Sequence, residues 1–135
     1  MHYTLKRITD EHPEWLDALK KRCYTVNGCC HIVHKDLGPF LNEYMYQDAL
    51  KILFDEQRIE YQKEYYFEIT YHGQRIAHKH YVDFLVNNEI ILECKAVEKL
   101  SAEHRQQVWN YMRLTGKSIG ILYNFGPISS QSEHY

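Results

Sequence analysis

Asp83, Glu93 and Lys95 interrupt a stretch that is otherwise largely aliphatic and aromatic: Tyr81-Val82-Asp83-Phe84-Leu85-Val86, a polar Asn87-Asn88 turn, then Ile90-Ile91-Leu92-Glu93-Cys94-Lys95-Ala96-Val97. Both runs read as strands from their β-branched and aromatic content. In the second run the two-residue period puts Ile91, Glu93, Lys95 and Val97 on one face and Ile90, Leu92, Cys94 and Ala96 on the other. Both faces are largely apolar, so Glu93 and Lys95 are drawn into a sheet covered on both sides. A lone charge there is costly and must be paired or bind an ion. Register decides whether Asp83 joins them. A strict two-residue hairpin loop would set Asp83 opposite Leu92 and send the two carboxylates to different faces. A three-residue turn, Asn87 to Glu89, pairs Val86 with Ile90 and Asp83 with Glu93, with Cβ atoms ~5 Å apart. Carboxylates that close repel unless a proton or a divalent cation lies between them. The expectation is therefore an odd-length or bulged turn.

The elements around this pair follow from periodicity. Residues 1–22 are charged and read as an extension with one short helix beginning near Pro13. Val26, Cys29/Cys30, Val33 and Leu37 recur at helical spacing over Tyr24 to Leu37, and Gly38-Pro39 stops that helix. Residues 40–57 predict a second helix, apolar around most of its girth and so buried, with Glu43 in its first turn. Glu43 has two readings, a dipole-stabilised carboxylate with its head in water or a functional group. The period then changes to two: residues 62–71, 75–86 and 89–97 predict three strands in a meander with a turn at His72-Gly73. Ser101 caps a helix over 102–115 that Gly116 ends, and Lys117 to Phe125 reads as an interior strand. The order α-α-β-β-β-α-β is an α+β arrangement whose last helix carries a crossover to the final strand.

Asp, nine residues, then Glu-x-Lys on adjacent strands, after a helix bearing Glu43, resembles the PD-(D/E)xK nuclease superfamily. The segment Gly38-Pro39-Phe40-Leu41-Asn42-Glu43-Tyr44-Met45-Tyr46 is similar to the signature of the GxxExxY family grouped with those nucleases, with Glu43 and Tyr46 at its Glu and Tyr and Phe40 in the place of its Gly. The similarity runs from about Tyr24 to Pro127 and includes the Asn124-Phe125-Gly126 ending. Val82 stands where a proline often precedes the aspartate. Gln107-Val108-Trp109-Asn110-Tyr111 resembles the QxxxY motif of RecB-like members. Read from spacing alone, His104, Gln107 and Tyr111 form one polar-edged stripe that could face the sheet, or a satisfied core amide and a tyrosine reaching water. The resemblance implies a three-layer restriction-endonuclease-like core with a mixed central sheet, an extension over 1–22, the nuclease-fold domain over 23–128 and a polar tail over 129–135. It also implies phosphodiester hydrolysis of DNA or RNA. In that reading Asp83, Glu93 and Glu43 are ligands of Mg²⁺ or Mn²⁺, Lys95 orients the nucleophile, and Tyr46, Gln107 and Tyr111 support the site.

Composition bounds these readings. A chain of 135 residues with 44% hydrophobic content and 12 tyrosines fills one core. The formal charge of −2 excludes a polybasic nucleic-acid binder, so phosphate binding must be local. It also keeps open a non-catalytic nucleic-acid- or protein-binding module that retains the nuclease fold. No apolar run approaches the ~20 residues of a membrane span and no signal-peptide stretch opens the sequence, which predicts a cytoplasmic protein without a membrane partner. Oligomeric state is open, a homodimer included. Cys23, Cys29, Cys30 and Cys94 lack a framework spacing and read as reduced, buried thiols. Cys29, Cys30, His31 and His34 carry zinc-ligand side chains, but adjacent helical cysteines point about 100° apart. His78 and His80, with Arg75 and Lys79, read as an exposed edge that could touch a phosphate backbone.

Overall fold

A computed structural model describes residues 13–135. Helix α1 (Pro13–Leu37) is a single run of 25 residues. The short N-terminal helix and the separate helix from Tyr24 are thus one element; of the expected extension, residues 1–12 lie outside the described residues. The join is explained by packing: Leu16, Leu19, Cys23, Val26, Cys30 and Val33 are all buried at alternating three- and four-residue spacing, one unbroken apolar stripe. Gly38, in the left-handed conformation, closes the last turn by donating its N–H to His34 O at 2.8 Å. Helix α2 (Glu43–Glu56) begins three residues later than expected and buries Tyr46, Gln47, Leu50 and Phe54.

The strands are β1 (Tyr61–Phe67), β2 (Thr70–Tyr71), β3 (Gln74–Arg75), β4 (His80–Val86) and β5 (Ile90–Lys95). Then come α3 (Ala102–Thr115), β6 (Ile119–Asn124) and β7 (Gln131–His134). The three-strand meander is present as β1, β4 and β5, with the small β2–β3 hairpin standing out between the first two. The main sheet has the order β1-β4-β5-β6-β7, and β5 and β6 run parallel across the α3 crossover while the other neighbours are antiparallel. It is the expected mixed sheet with one strand more, because the segment read as a polar tail pairs with β6 as an edge strand. Its polar side chains suit an edge, and Glu133 is held by a bidentate ion pair with Arg105 of α3 at 2.7 and 2.8 Å.

Two layers cover the sheet. Helices α1 and α2 pack on Phe84, Val86, Ile90, Leu92, Cys94, Ile121 and Tyr123, and α3 covers the opposite face through Val108 on Leu122 and through Tyr111 and Met112 beside Leu85 and Ile91. Ser101 and His104 form a reciprocal capping box at the start of α3, with His104 Nδ1 accepting the Ser101 N–H and Ser101 Oγ accepting the His104 N–H. His104 therefore leaves the expected polar stripe and caps its own helix. All four cysteines are free and buried in the α1/α2-side core; burial pushes the Cys23 thiol up to about 11 and the Cys30 and Cys94 thiols well above their ordinary value. Among the described residues no helix is long and apolar enough to cross a membrane.

The β1–β4 ribbon reverses its faces part-way along. Tyr61 packs with the α1/α2-side core, whereas Tyr65, four residues on and of the same parity, packs with the α3-side cluster. On β4, Phe84 and Val86 face α1 and α2 while Val82 joins the α3-side cluster. A regular strand would keep each set on one face. The reversal falls at Glu64, whose φ of 55° is left-handed, and at Asp83, the residue across from it; these two alone are missing from an otherwise continuous β1–β4 register.

Candidate functional site

Strands β4 and β5 pair as Val86 with Ile90, Leu85 with Ile91 and Phe84 with Leu92, the register of the three-residue turn. Asn87 and Asn88 are both left-handed, at φ of 54° and 55°, as in a primed hairpin turn that Glu89 N–H closes on Val86 O at 3.1 Å, and Glu89 is the extra residue that makes the loop three long. The next rung would be Asp83 with Glu93, and there side chains replace the ladder. Asp83 N–H donates to Glu93 Oε1 at 3.0 Å, and Cys94 N–H donates to Asp83 Oδ2 at 2.9 Å. Beyond this point β4 stays with β1 and β5 with β6, so the two carboxylates occupy the fork where the strands part.

Lys95 reaches from β5 toward α3 and donates from Nζ to Gln107 Oε1 at 3.0 Å; Gln107 Nε2 donates in turn to the Tyr111 hydroxyl at 3.2 Å. The helical stripe thus acts through Gln107, which fixes the lysine head. Glu43 stands in the first turn of α2, half-buried, with Oε1 accepting from Gln47 Nε2 at 3.3 Å. An open pocket of about 510 Å³ lies beside it, lined by Asn42, Glu43, Tyr44, Gln47 and Glu64.

The electrostatics tie these groups together. Burial raises the Asp83 carboxyl above its ordinary range, opposed by the Cys94 N–H, Lys95, the Glu93 hydrogen bond and Lys63. Glu93, 2% exposed, is pushed well above its ordinary value by burial and then by the Asp83 charge. Burial followed by Asp83 also raises Glu43, against Lys95 and Gln47. Three carboxyls are held reluctant to ionise around one lysine, which is the environment in which side chains are tuned for proton and charge chemistry. Lys63 and Glu64 of β1 had no signal in the sequence. Consecutive strand residues normally point apart, yet Lys63 Nζ lies 3.4 Å from Glu64 Oε1 because the left-handed turn of the backbone brings Glu64 round to it.

The family model described as PD-(D/E)XK nuclease superfamily matches residues 20–134. The chain belongs to that superfamily. Among solved structures, the crystal structure of SSO0001 is similar in fold, with a TM-score of 0.54 at 20% identity, over 68% of this chain and 48% of that one. The chain therefore spans about half the length of that relative. No curated protein sequence matches it.

Within this nuclease-superfamily fold, Tyr46 serves the backbone that launches Glu43. It is fully buried, stacked on Phe125 at 4.7 Å, and its hydroxyl donates to Gly38 O at 2.6 Å while accepting the Leu41 N–H at 3.1 Å. Tyr46→Phe leaves both backbone groups without that partner, so the melting temperature should fall by the equivalent of about 1–3 kcal/mol. An unchanged melting curve would refute this role. Phe40, at the position where the resemblance places glycine, has φ of 68° and a ring that is 77% exposed. Its N–H donates to Gly126 O at 3.1 Å. Gly126 itself admits no side chain, since a Cβ would sit 2.2 Å from Val97 O. Phe40→Gly relieves a left-handed conformation and gives up little burial, so it should raise stability by up to about 1 kcal/mol in a denaturant titration. Asn124, fully buried, ties the same corner by accepting from Val97 N–H and Gly126 N–H and donating to Val97 O.

Asp83 and Glu93 each place one oxygen on a backbone N–H at the fork, which leaves each with a second hard oxygen. Two such carboxylates fit an ion of the Mg²⁺ class, which keeps several waters. Among the described residues no group of three or more His, Cys, Asp or Glu side chains is arranged to hold an ion.

Proposed function

We propose that this chain is a metal-dependent nuclease that hydrolyses phosphodiester bonds of DNA or RNA. The observation that carries the proposal is the fork itself: buried Glu93 accepting the Asp83 N–H, half-buried Asp83 accepting the Cys94 N–H, and a lysine two residues beyond Glu93 aimed by a glutamine. Asp83 and Glu93 would hold Mg²⁺ or Mn²⁺, which when bound polarises a phosphate and makes bound water more acidic. Lys95 orients the attacking water and stabilises charge developing on the phosphate. Glu43, whose carboxyl is raised above its ordinary value by burial and then by Asp83, would complete the ligand set or hold a bound water. Gln107 positions Lys95, and Tyr111 holds Gln107. A non-catalytic module with the same fold would have no chemical use for Lys95 at this place. The free, buried thiols suit the cytoplasm as its compartment.

The test is cleavage of labelled single- and double-stranded DNA and RNA with Mg²⁺ or Mn²⁺ against a chelator control. Strand scission that requires the ion and disappears in Asp83→Ala is expected; scission that survives both chelation and Asp83→Ala would remove the assignment.

A further inference from the structure

The face reversal at Glu64 and Asp83 has a product on the surface. Past that point Tyr65, Phe67 and Val82 pack toward α3, and Phe67 meets Tyr111 edge to face at 5.5 Å. Their neighbours Tyr66 and Tyr81 therefore point out of the opposite face. They are directly paired in the β1–β4 register with ring centroids 5.5 Å apart, and they remain 38% and 46% exposed. Tyr81 precedes Asp83 of the carboxylate fork by two residues, and Tyr66 follows by two residues Glu64, which lines the pocket beside Glu43.

From this arrangement we propose that Tyr66 and Tyr81 form a stacking platform that feeds single-stranded nucleic acid into the Asp83–Glu93 fork. The inference rests on the nuclease reading and adds its substrate class. Charge supports a nucleic acid over an apolar protein partner. Residues 69–80, which include the small hairpin, contain Arg75, Lys79 and three histidines and no Asp or Glu; Arg75 is paired with Glu68 at 3.2 Å, which leaves Lys79 and the histidines to face a phosphate. Lys63 on the same ribbon is paired with Glu64 at 3.4 Å, and its field also reaches Asp83. The single strand follows from two points. A base offers its face to a tyrosine when it is unstacked, and a duplex keeps those faces inside. The net charge of −2 also denies the chain the long-range phosphate attraction that duplex binders rely on, whereas stacking supplies affinity without it.

The experiment separates binding from cleavage. With divalent ions chelated, fluorescence anisotropy is read for labelled oligothymidylate and oligouridylate of about 15 nucleotides and for a duplex of equal length. Single strands should bind about tenfold more tightly than the duplex, Tyr66→Ala/Tyr81→Ala should lose about tenfold of that affinity, and Tyr66→Phe/Tyr81→Phe should retain it because the ring is kept. Melting curves of the alanine pair, read beside those of the phenylalanine pair and the parent, control for folding. Equal affinity for duplex and single strand, or an alanine pair that binds like the parent, overturns the platform. Ion-dependent cleavage that proceeds unaltered in the alanine pair on single strands also overturns it, and leaves the nuclease reading standing. Ring-dependent binding without cleavage under either ion upholds the platform and removes the nuclease reading instead.

Discussion

Replacing Lys95 with alanine is expected to lower ion-dependent phosphodiester cleavage by about 10²–10³-fold, the usual cost of removing one charged donor aimed at a reacting phosphate. The argument begins with position. Lys95 is the last residue of β5, one strand period beyond Glu93, and its Nζ is held at 3.0 Å by a glutamine that is itself fixed by Tyr111. A lysine on a free stem would spread its head over many rotamers; this one is aimed. The effect on stability should be small and should depend on pH. Lys95 lowers the proton affinity of Asp83, Glu93 and Glu43, so its loss raises all three carboxyls further and is felt once they ionise. In acid, where they are protonated, the variant and parent should melt together. Comparing rates well below both melting temperatures separates chemistry from unfolding, and cleavage within about threefold of the parent would show that Lys95 does not act on the reaction. Gln107→Ala tests the positioning arm: a smaller loss of rate is expected, because the lysine is present but no longer directed.

Much of this site was legible because it is built by short-range rules. The alternation of apolar residues either side of Asn87-Asn88 allowed two registers, and the demand that Asp83 and Glu93 share a location selected the one found. Gln107 could be placed because Gln107 and Tyr111 lie one helical turn apart, and the Ser101 and Gly116 caps fixed the helix that carries them. Other features had no comparable signal. Leu16, Leu19 and Cys23 extend the α1 stripe through a segment whose charge resembled a solvated extension, and only the sheet beneath shows that its apolar edge is buried. The β7 residues Gln131–His134 carry no strand pattern, since an edge strand can be held by its backbone and by Arg105 without burying alternate side chains. Glutamate gives no local warning of a left-handed backbone, so the reversal at Glu64, and with it the outward turn of Tyr66 and Tyr81, depends on long-range packing. Tyr46 was found by its motif, but its hydroxyl's service to Gly38 and Leu41 is visible only in three dimensions.

Asp83→Asn should abolish cleavage and yet make the ion-free protein more heat-stable at neutral pH, by roughly 5 °C. Because both carboxyls resist ionising, only part of their repulsion is expressed at neutral pH, about 1–2 kcal/mol, and a kcal/mol is worth a few degrees in a domain of this size. The asparagine can still accept the Cys94 N–H, so the fork keeps that backbone anchor while Glu93 loses the neighbour that, after burial, does most to oppose its ionisation. Linkage gives the direction with pH. Carboxyls raised in the folded state contribute stability that is complete below their unfolded values of about 4, and this contribution drains away as pH rises through the folded values. The parent without an ion should therefore lose stability from mildly acidic pH toward neutrality, and the variant should lose less. Added Mn²⁺ should reverse the ranking. An ion that binds the native fork alone stabilises it by about 2.7 kcal/mol at a hundredfold excess over Kd, and the variant, short of one carboxylate, should gain far less. Melting curves across pH, with chelator and with Mn²⁺, read all of this in one series. If Asp83→Asn melts below the parent in chelator at neutral pH, the paired carboxyls are not a source of strain; if it gains as much from Mn²⁺ as the parent does, Asp83 is not a ligand. The crossing of the two curves would mark a site whose carboxylates cost stability until an ion joins them, the compromise expected where binding chemistry and packing compete for the same buried residues.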